Sequence, residues 1–207
     1  MSANRPATLV VFVLALLASG FAQVNEISAT VGRTFVSSQT IKGAAFFNPN
    51  VHFGAEETIG LNYSRLLKNF HGVGLRAELP FAYVIDMDLN AGTNVVPENY
   101  RAFYLTPALR ANFFQSSAVS PWLSFGGGYA RYKSAGHTVF GGPNPGNTIS
   151  NSGVLQFGAG LDVWPWQRWG FRLEARDYNS GMPKLNVNVG RTRQNNYYVG
   201  GGVIRRF

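Results

Sequence analysis

The sequence has 207 residues, of which only 14% are charged and another 14% aromatic, with 24 glycines and a formal charge of +8. It has no cysteine, which excludes disulfides, thiolate metal sites and cysteine nucleophiles. So little charge beside so much aromatic residue and glycine departs from the composition of an ordinary soluble domain.

The first element in chain order is a processing signal. Arg5 precedes the apolar run 9–18, LVVFVLALLA, and Gly20 and Ala22 form a small-x-small site before Gln23. The run is well short of the roughly 20 residues that a spanning helix needs. Residues 1–22 therefore read as a signal peptide and 23–207 as one domain. No later window is apolar for 18 consecutive residues, so helical membrane spans are excluded from the remainder.

Eight strands follow, each recognised by period-two alternation between turn-rich segments. The first lies near 25–36, with Ile27, Ala29 and Val31 opposite Ser28, Thr30 and Gly32. The second, near 56–66, sets Ile59, Leu61 and Tyr63 against Thr58, Gly60, Asn62 and Ser64. In the third, near 72–85, Leu75, Ala77, Leu79 and Phe81 oppose Arg76, Glu78 and Pro80. The fourth spans about 100–114, with Phe103, Leu105 and Leu109 opposite Tyr104, Thr106, Arg110 and Asn112. The fifth, near 121–133, carries Leu123, Phe125 and Tyr129 against Ser124, Gly126 and Gly128. The sixth, near 152–164, alternates Leu155, Phe157, Ala159 and Leu161 with Gln156, Gly158, Gly160 and Asp162. The seventh, GFRLEARDY at 170–178, places Phe171, Leu173 and Ala175 opposite Arg172, Glu174 and Arg176. The eighth, near 196–207, has Tyr197, Val199, Val203 and Phe207 on one parity.

The connections alternate in length. Segments 68–72, 116–121 and 165–169 are short, whereas those near 37–55, 86–99, 134–151 and 179–195 are long and rich in Gly, Pro and Asn. Eight such strands fit two architectures, a soluble barrel with apolar residues inside or a membrane barrel with them outside. Ten residues tilted about 45° rise roughly 23 Å, close to the apolar band of a membrane barrel. Trp122, Trp164, Trp166 and Trp169 all lie beside short turns, which predicts an interfacial aromatic girdle. The charges decide the parity. Arg76, Glu78, Arg172, Glu174 and Arg176 facing lipid would cost on the order of 10 kcal/mol, comparable with a domain's whole stability. Facing inward they can pair with one another and with Arg110 and Asp162. The expected fold is an all-β, eight-stranded, antiparallel up-and-down transmembrane barrel with a lumen charge network.

The signal peptide, FGGGYARY (125–132), GFRLEARDY and YYVGGGVIRRF (197–207) together resemble the small outer-membrane β-barrel proteins of Gram-negative bacteria, of the OmpA and OmpX type. The resemblance covers nearly the whole chain after the signal. It implies location in the outer membrane and insertion by the barrel-assembly machinery. It also implies that the terminal Phe207 acts as the assembly signal. Arg205 stands where that signal is usually apolar. The periplasmic peptidoglycan-binding role of OmpA is not carried over, because it belongs to a domain beyond the eighth strand.

Other chemistry is sparse. His52, His71 and His137 lack metal-ligand spacing, and the glycine runs lack the residues of phosphate or dinucleotide loops. No cofactor is expected. Ser180 lies close to Asp177 in the sequence but has no neighbouring histidine, so a lipid A-modifying enzyme is the least supported reading. The basic residues form no stripe of the kind that binds nucleic acid. Lys133, Lys184, Arg191 and Arg193 suit either contact with lipopolysaccharide phosphates at the outer leaflet or plain solvation as loop charges with no specific partner. The expected function is structural or surface-interacting, non-catalytic and exercised by a monomer through its outer loops. A low-conductance channel is the alternative.

Overall fold

The computed structural model describes residues 25–43 and 48–207. The proposed signal peptide and its cleavage site lie outside these residues. Among the described residues eleven strands form in chain order: β1 (Asn25–Val36), β2 (Gln39–Thr40), β3 (Asn50–Phe53), β4 (Ala55–Phe70), β5 (Val73–Ala91), β6 (Asn99–Leu105), β7 (Ala108–Asn112), β8 (Val119–Ser134), β9 (Ile149–Val163), β10 (Trp169–Gly181) and β11 (Arg193–Arg206). All pairings are antiparallel, and β1 pairs with both β4 and β11, which closes the sheet. Closure leaves no long edge to be satisfied by lipid, which has no hydrogen bonds to offer.

The barrel wall has eight staves, as the alternation predicts. One of them is interrupted: β6 and β7 together occupy the place of the predicted fourth strand, with Thr106 and Pro107 out of the ladder between them. Pro107 has no N–H to donate. Its carbonyl accepts from the Gly127 N–H at 3.1 Å, and the Thr106 N–H donates to Pro80 at 3.1 Å. The register on both neighbouring strands is the same above and below the break.

The structure also extends the predicted elements. Strand β5 runs to Ala91, past a bulge between Val84 and Met87 that turns Met87 and Leu89 inward. Its outer end pairs with β3, which in turn pairs with β2, so the first long loop contains a small flap. The first short connection is tighter than the sequence implies. Only His71 and Gly72 separate β4 from β5, at φ values of 47° and 91°. Positive φ at both central residues is the turn geometry that matches strand twist.

The two faces are inverted relative to a soluble barrel. Leu173 is 60% exposed, while its neighbours Arg172 and Glu174 are 1% and 7% exposed. Ile27, Val31, Leu61, Leu123, Phe125, Phe157, Val199 and Val203 are likewise exposed, and the buried set is rich in Arg, Glu, Ser, Thr and Asn. Period-two geometry on a closed sheet produces this inversion directly: one parity faces out, the other fills the lumen.

Candidate functional site

The lumen is built in three layers. The lowest gathers around Glu26 on β1, whose carboxylate pairs with Arg76 at 2.9 Å, with Arg206 at 3.0 Å and with Arg110. Arg206 stacks its guanidinium 4.0 Å from the Trp164 ring at the lower mouth. Above Glu26, Arg172 clasps Asp162 in bidentate fashion at 2.7 and 2.8 Å and donates to Ser28 at 3.1 Å. Arg176 joins Glu78 at 3.0 Å and Glu174 at 2.9 Å. Asn62 donates to Glu78 and Thr30 to Glu174, each at 2.8 Å. Four buried arginines therefore meet four buried carboxylates, Glu26, Glu78, Asp162 and Glu174, and the partly exposed Arg206 adds a fifth cation at the lower mouth. A charge inside low dielectric persists only when paired and hydrogen-bonded.

Trp122 stands among these arginines. Its ring lies 5.0, 5.1 and 5.7 Å from the guanidinium carbons of Arg176, Arg172 and Arg110, and its indole N–H donates to Asp162 at 3.2 Å. A Cβ on Gly160 would sit 2.3 Å from the Trp122 ring, so glycine there makes room for the indole.

The middle layer is aromatic. Tyr104 stacks on Tyr178 with centroids 4.6 Å apart, and Tyr132 packs edge-on to both Tyr100 and Tyr104. The Tyr132 hydroxyl bonds Ser180, and Asn196 donates to Ser180 at 3.1 Å and to the Tyr178 carbonyl at 2.7 Å. The upper layer is an apolar cap of Val36, Ile41, Val51, Met87, Leu89, Val96 and Leu185, with Val139 and Val187 packed against it.

The long connections are laced together above that cap. The Lys42 N–H donates to Asn188 at 2.7 Å, and the Thr138 hydroxyl donates to Asn94 at 2.6 Å. Asn186 donates to the Val95 carbonyl at 2.9 Å and to Asn144 at 2.7 Å. All four outer connections thus share one hydrogen-bonded lid.

The structure brings together all seven residues of the predicted charge network: Arg76, Glu78, Arg110, Asp162, Arg172, Glu174 and Arg176. It adds Glu26, which sequence reasoning missed although Glu26 shares the parity of Ser28 and Thr30. The predicted girdle needs correction. Trp166 and Trp169 are exposed near the lower rim, but Trp122 is 1% exposed inside the lumen and Trp164 is half-buried beneath Arg206. Proximity to a turn pointed Trp122 outward, whereas its alternation with Leu123 already placed it inward with Ser124. Phe207 is exposed, and its backbone exchanges two hydrogen bonds with Asn25 at the closing seam.

The remaining candidates are scattered. Ser180 faces the lumen at 0% exposure, whereas Asp177, three residues earlier on β10, points out of the barrel. His52 Nδ1 bonds the Ser38 hydroxyl at 3.0 Å, His71 forms the tight lower turn, and His137 lies in the lid. No group of three or more His, Asp or Glu able to hold a metal occurs among the described residues. Arg193 is engaged by Asn179, through its side chain and its carbonyl, at 2.6 Å each. Lys184 and Arg191 are exposed in the last long connection.

No protein-family model matches the chain, and no curated protein matches it in sequence. Solved structures do match. Neisserial surface protein A aligns over 91% of this chain and 100% of its own, at 10% identity and a TM-score of 0.52. The N-terminal β-barrel domain of Pseudomonas aeruginosa OprF covers 91% and 100% at 12% identity and 0.50, and the outer membrane protein OprG of that organism 89% and 95% at 13% and 0.50. This chain has the fold of the small outer-membrane β-barrels. Its apolar outer wall and polar, filled interior are the distribution that a bilayer requires of that fold.

Proposed function

We propose that this chain is a sealed barrel of the bacterial outer membrane, non-catalytic and monomeric, that acts through the surface of its hydrogen-bonded lid. Both ends of the barrel wall and the three short turns face the periplasm, and the four long connections face outward. Insertion follows the usual barrel-assembly route, with Phe207 at its closing strand.

One observation carries this reading. The lumen is occupied from end to end by paired charges, then tyrosines, then an apolar cap. An interior of eight strands is just wide enough to be filled by side chains. A lid tied together across all four connections is suited to present a fixed surface rather than to gate a pore.

The test is single-channel recording of the refolded 23–207 chain in a planar bilayer, with insertion shown independently by a heat-modifiable gel shift. A silent membrane is expected. Reproducible unitary steps would favour the channel instead, and their dependence on Arg172 and Arg176 would then locate the path.

A further inference from the structure

The charge network of the lumen does not balance. Five guanidinium groups, from Arg76, Arg110, Arg172, Arg176 and Arg206, share four carboxylates, Glu26, Glu78, Asp162 and Glu174. Arg206 lies at the open end of the network, with its side chain 26% exposed. Its Nε and Nη2 both donate to one oxygen of Glu26, at 3.2 and 3.0 Å. Glu26 also serves Arg76 and Arg110, so it leaves Arg206 only partly neutralised. The terminal carboxylate of the chain is engaged elsewhere, because the Phe207 oxygen accepts from the Asn25 N–H at 2.7 Å.

A pocket of about 420 Å³ opens beside Arg206. Its walls are Gln115, Ser116 and Ser117 from the connection before β8, and Trp164, Trp166 and Gln167 from the connection before β10. Backbone hydrogen bonds fix these walls. The Trp164 N–H donates to Ala118 at 2.7 Å, the Gln115 N–H to Gly72 at 3.2 Å and the Arg206 N–H to Arg168 at 2.8 Å. The Arg206 guanidinium lies 4.0 Å from the Trp164 ring, so a cation resting on an indole forms part of the wall. No carboxylate lines the pocket. Among the described residues the exposed and half-exposed carboxylates, Glu56, Glu57, Asp86, Asp88, Glu98 and Asp177, belong to the outer half of the wall or to the lid. Lys68, Arg168 and Arg205 are exposed at the lower end, which makes that end of the barrel attractive to anions.

The walls also hold donors without acceptors. The Trp164 indole N–H and the Gln115 side-chain nitrogen are buried and bond to nothing among the described residues. A buried donor left unmet is costly and calls for a ligand or a water. Ser116, Ser117 and Gln167 are exposed and add hydroxyl and amide groups at the entrance. Donors around a single surplus positive charge suit an anion of charge −1, which a carboxylate supplies and a phosphate dianion exceeds. The pocket is far larger than a carboxylate alone, and the exposed Trp166 offers an indole to the rest of the molecule.

We propose that this pocket binds a small monocarboxylate at the periplasmic mouth of the barrel. The carboxylate sits between Arg206 and the donors of Trp164 and Gln115, and the body of the ligand lies against Trp166. The carboxyl end of a short peptide and a sugar acid both offer this chemistry. The periplasmic address of the pocket rests on the membrane orientation proposed above, whereas its affinity does not.

The test titrates the refolded 23–207 chain in nanodiscs with N-acetylalanine, N-acetylmuramic acid, acetate and inorganic phosphate, and follows the indole N–H magnetic resonance of Trp164. At least one of the two larger carboxylates should give a saturable shift that its methyl ester does not, and the tighter of the two identifies the source. Arg206→Gln should weaken binding at least about tenfold, the scale of one charge-assisted hydrogen bond. Arg206 also serves the lumen network, so the exposed double variant Ser116→Ala, Ser117→Ala provides a second reading. It should weaken binding roughly threefold and keep its heat-modifiable shift. An equal response to the methyl esters, or unchanged binding in both variants, would overturn the site. Acetate or phosphate bound as tightly as the larger carboxylates would overturn the proposed ligand. Protease added outside intact cells that cuts the short turns and spares the lid would overturn the periplasmic address together with the membrane orientation.

Discussion

Glu26 holds three guanidinium groups from β5, β7 and β11, so it joins opposite sides of the barrel through one carboxylate. Removing one partner of a buried ion pair leaves the others uncompensated and costs about 3–5 kcal/mol. Glu26→Gln should lower the unfolding free energy in lipid or detergent by roughly that much, as read from the urea midpoint of the heat-modifiable band. Loss within the range of an ordinary surface change would mean that the network is not a structural core. Glu56 behaves differently. It lies at the outer end of β4, where burial and then the neighbouring carboxylates of Asp88 and Asp86 raise its pKa. A raised carboxyl pKa disfavours the charged form in the fold. Stability is therefore gained as pH falls through the raised folded value and is complete below the ordinary one. The wild type should gain more stability between pH 7.5 and about pH 5 than Glu56→Gln does. Parallel pH profiles for the two proteins would refute this.

At the scale of elements, tolerance of irregularity depends on where it occurs. The β6–β7 break sits within the wall, yet the freed Thr106 N–H still donates to Pro80 and the Gly127 N–H still finds Pro107. The β5 bulge lies near the outer end, where it redirects Met87 and Leu89 into the cap. The lid hinges on Asn186, which adopts φ of 60° and bonds both Val95 and Asn144. Asparagine tolerates that conformation better than most residues, and alanine there adds strain of about 1 kcal/mol besides losing both hydrogen bonds. Asn186→Ala should speed amide exchange and protease nicking across residues 92–98 and 135–148 while leaving the barrel strands protected. Faster exchange confined to its own connection would show that the lid is not one unit.

For the whole molecule the inverted surface is decisive. Leu173 is 60% exposed on the wall, and in water an arginine there would be nearly neutral. In a bilayer Leu173→Arg should cost about 2–4 kcal/mol, with the larger value near the midplane, measured as a shift of the folding midpoint in vesicles. No shift would argue that this face does not meet lipid. The parity of the eight wall strands was legible in the sequence because a strand's side chains alternate whatever its neighbours are. The sign of that parity was legible as well, since GFRLEARDY cannot put two arginines and a glutamate into acyl chains. Other features were not. The alternation assigns Trp122 to the lumen, but only the closed barrel shows that three arginines from β7 and β10 converge on its ring. Nor could the sequence reveal that Arg206 shares Glu26 with two other arginines beside Trp164, because contacts across a closed sheet are a long-range property. Local alternation and composition by themselves determined an inside-out barrel with a charged interior. Which charges pair, how the outer connections lock into a lid and which cation is left over were decided by closure of the sheet, which brings together residues far apart along the chain.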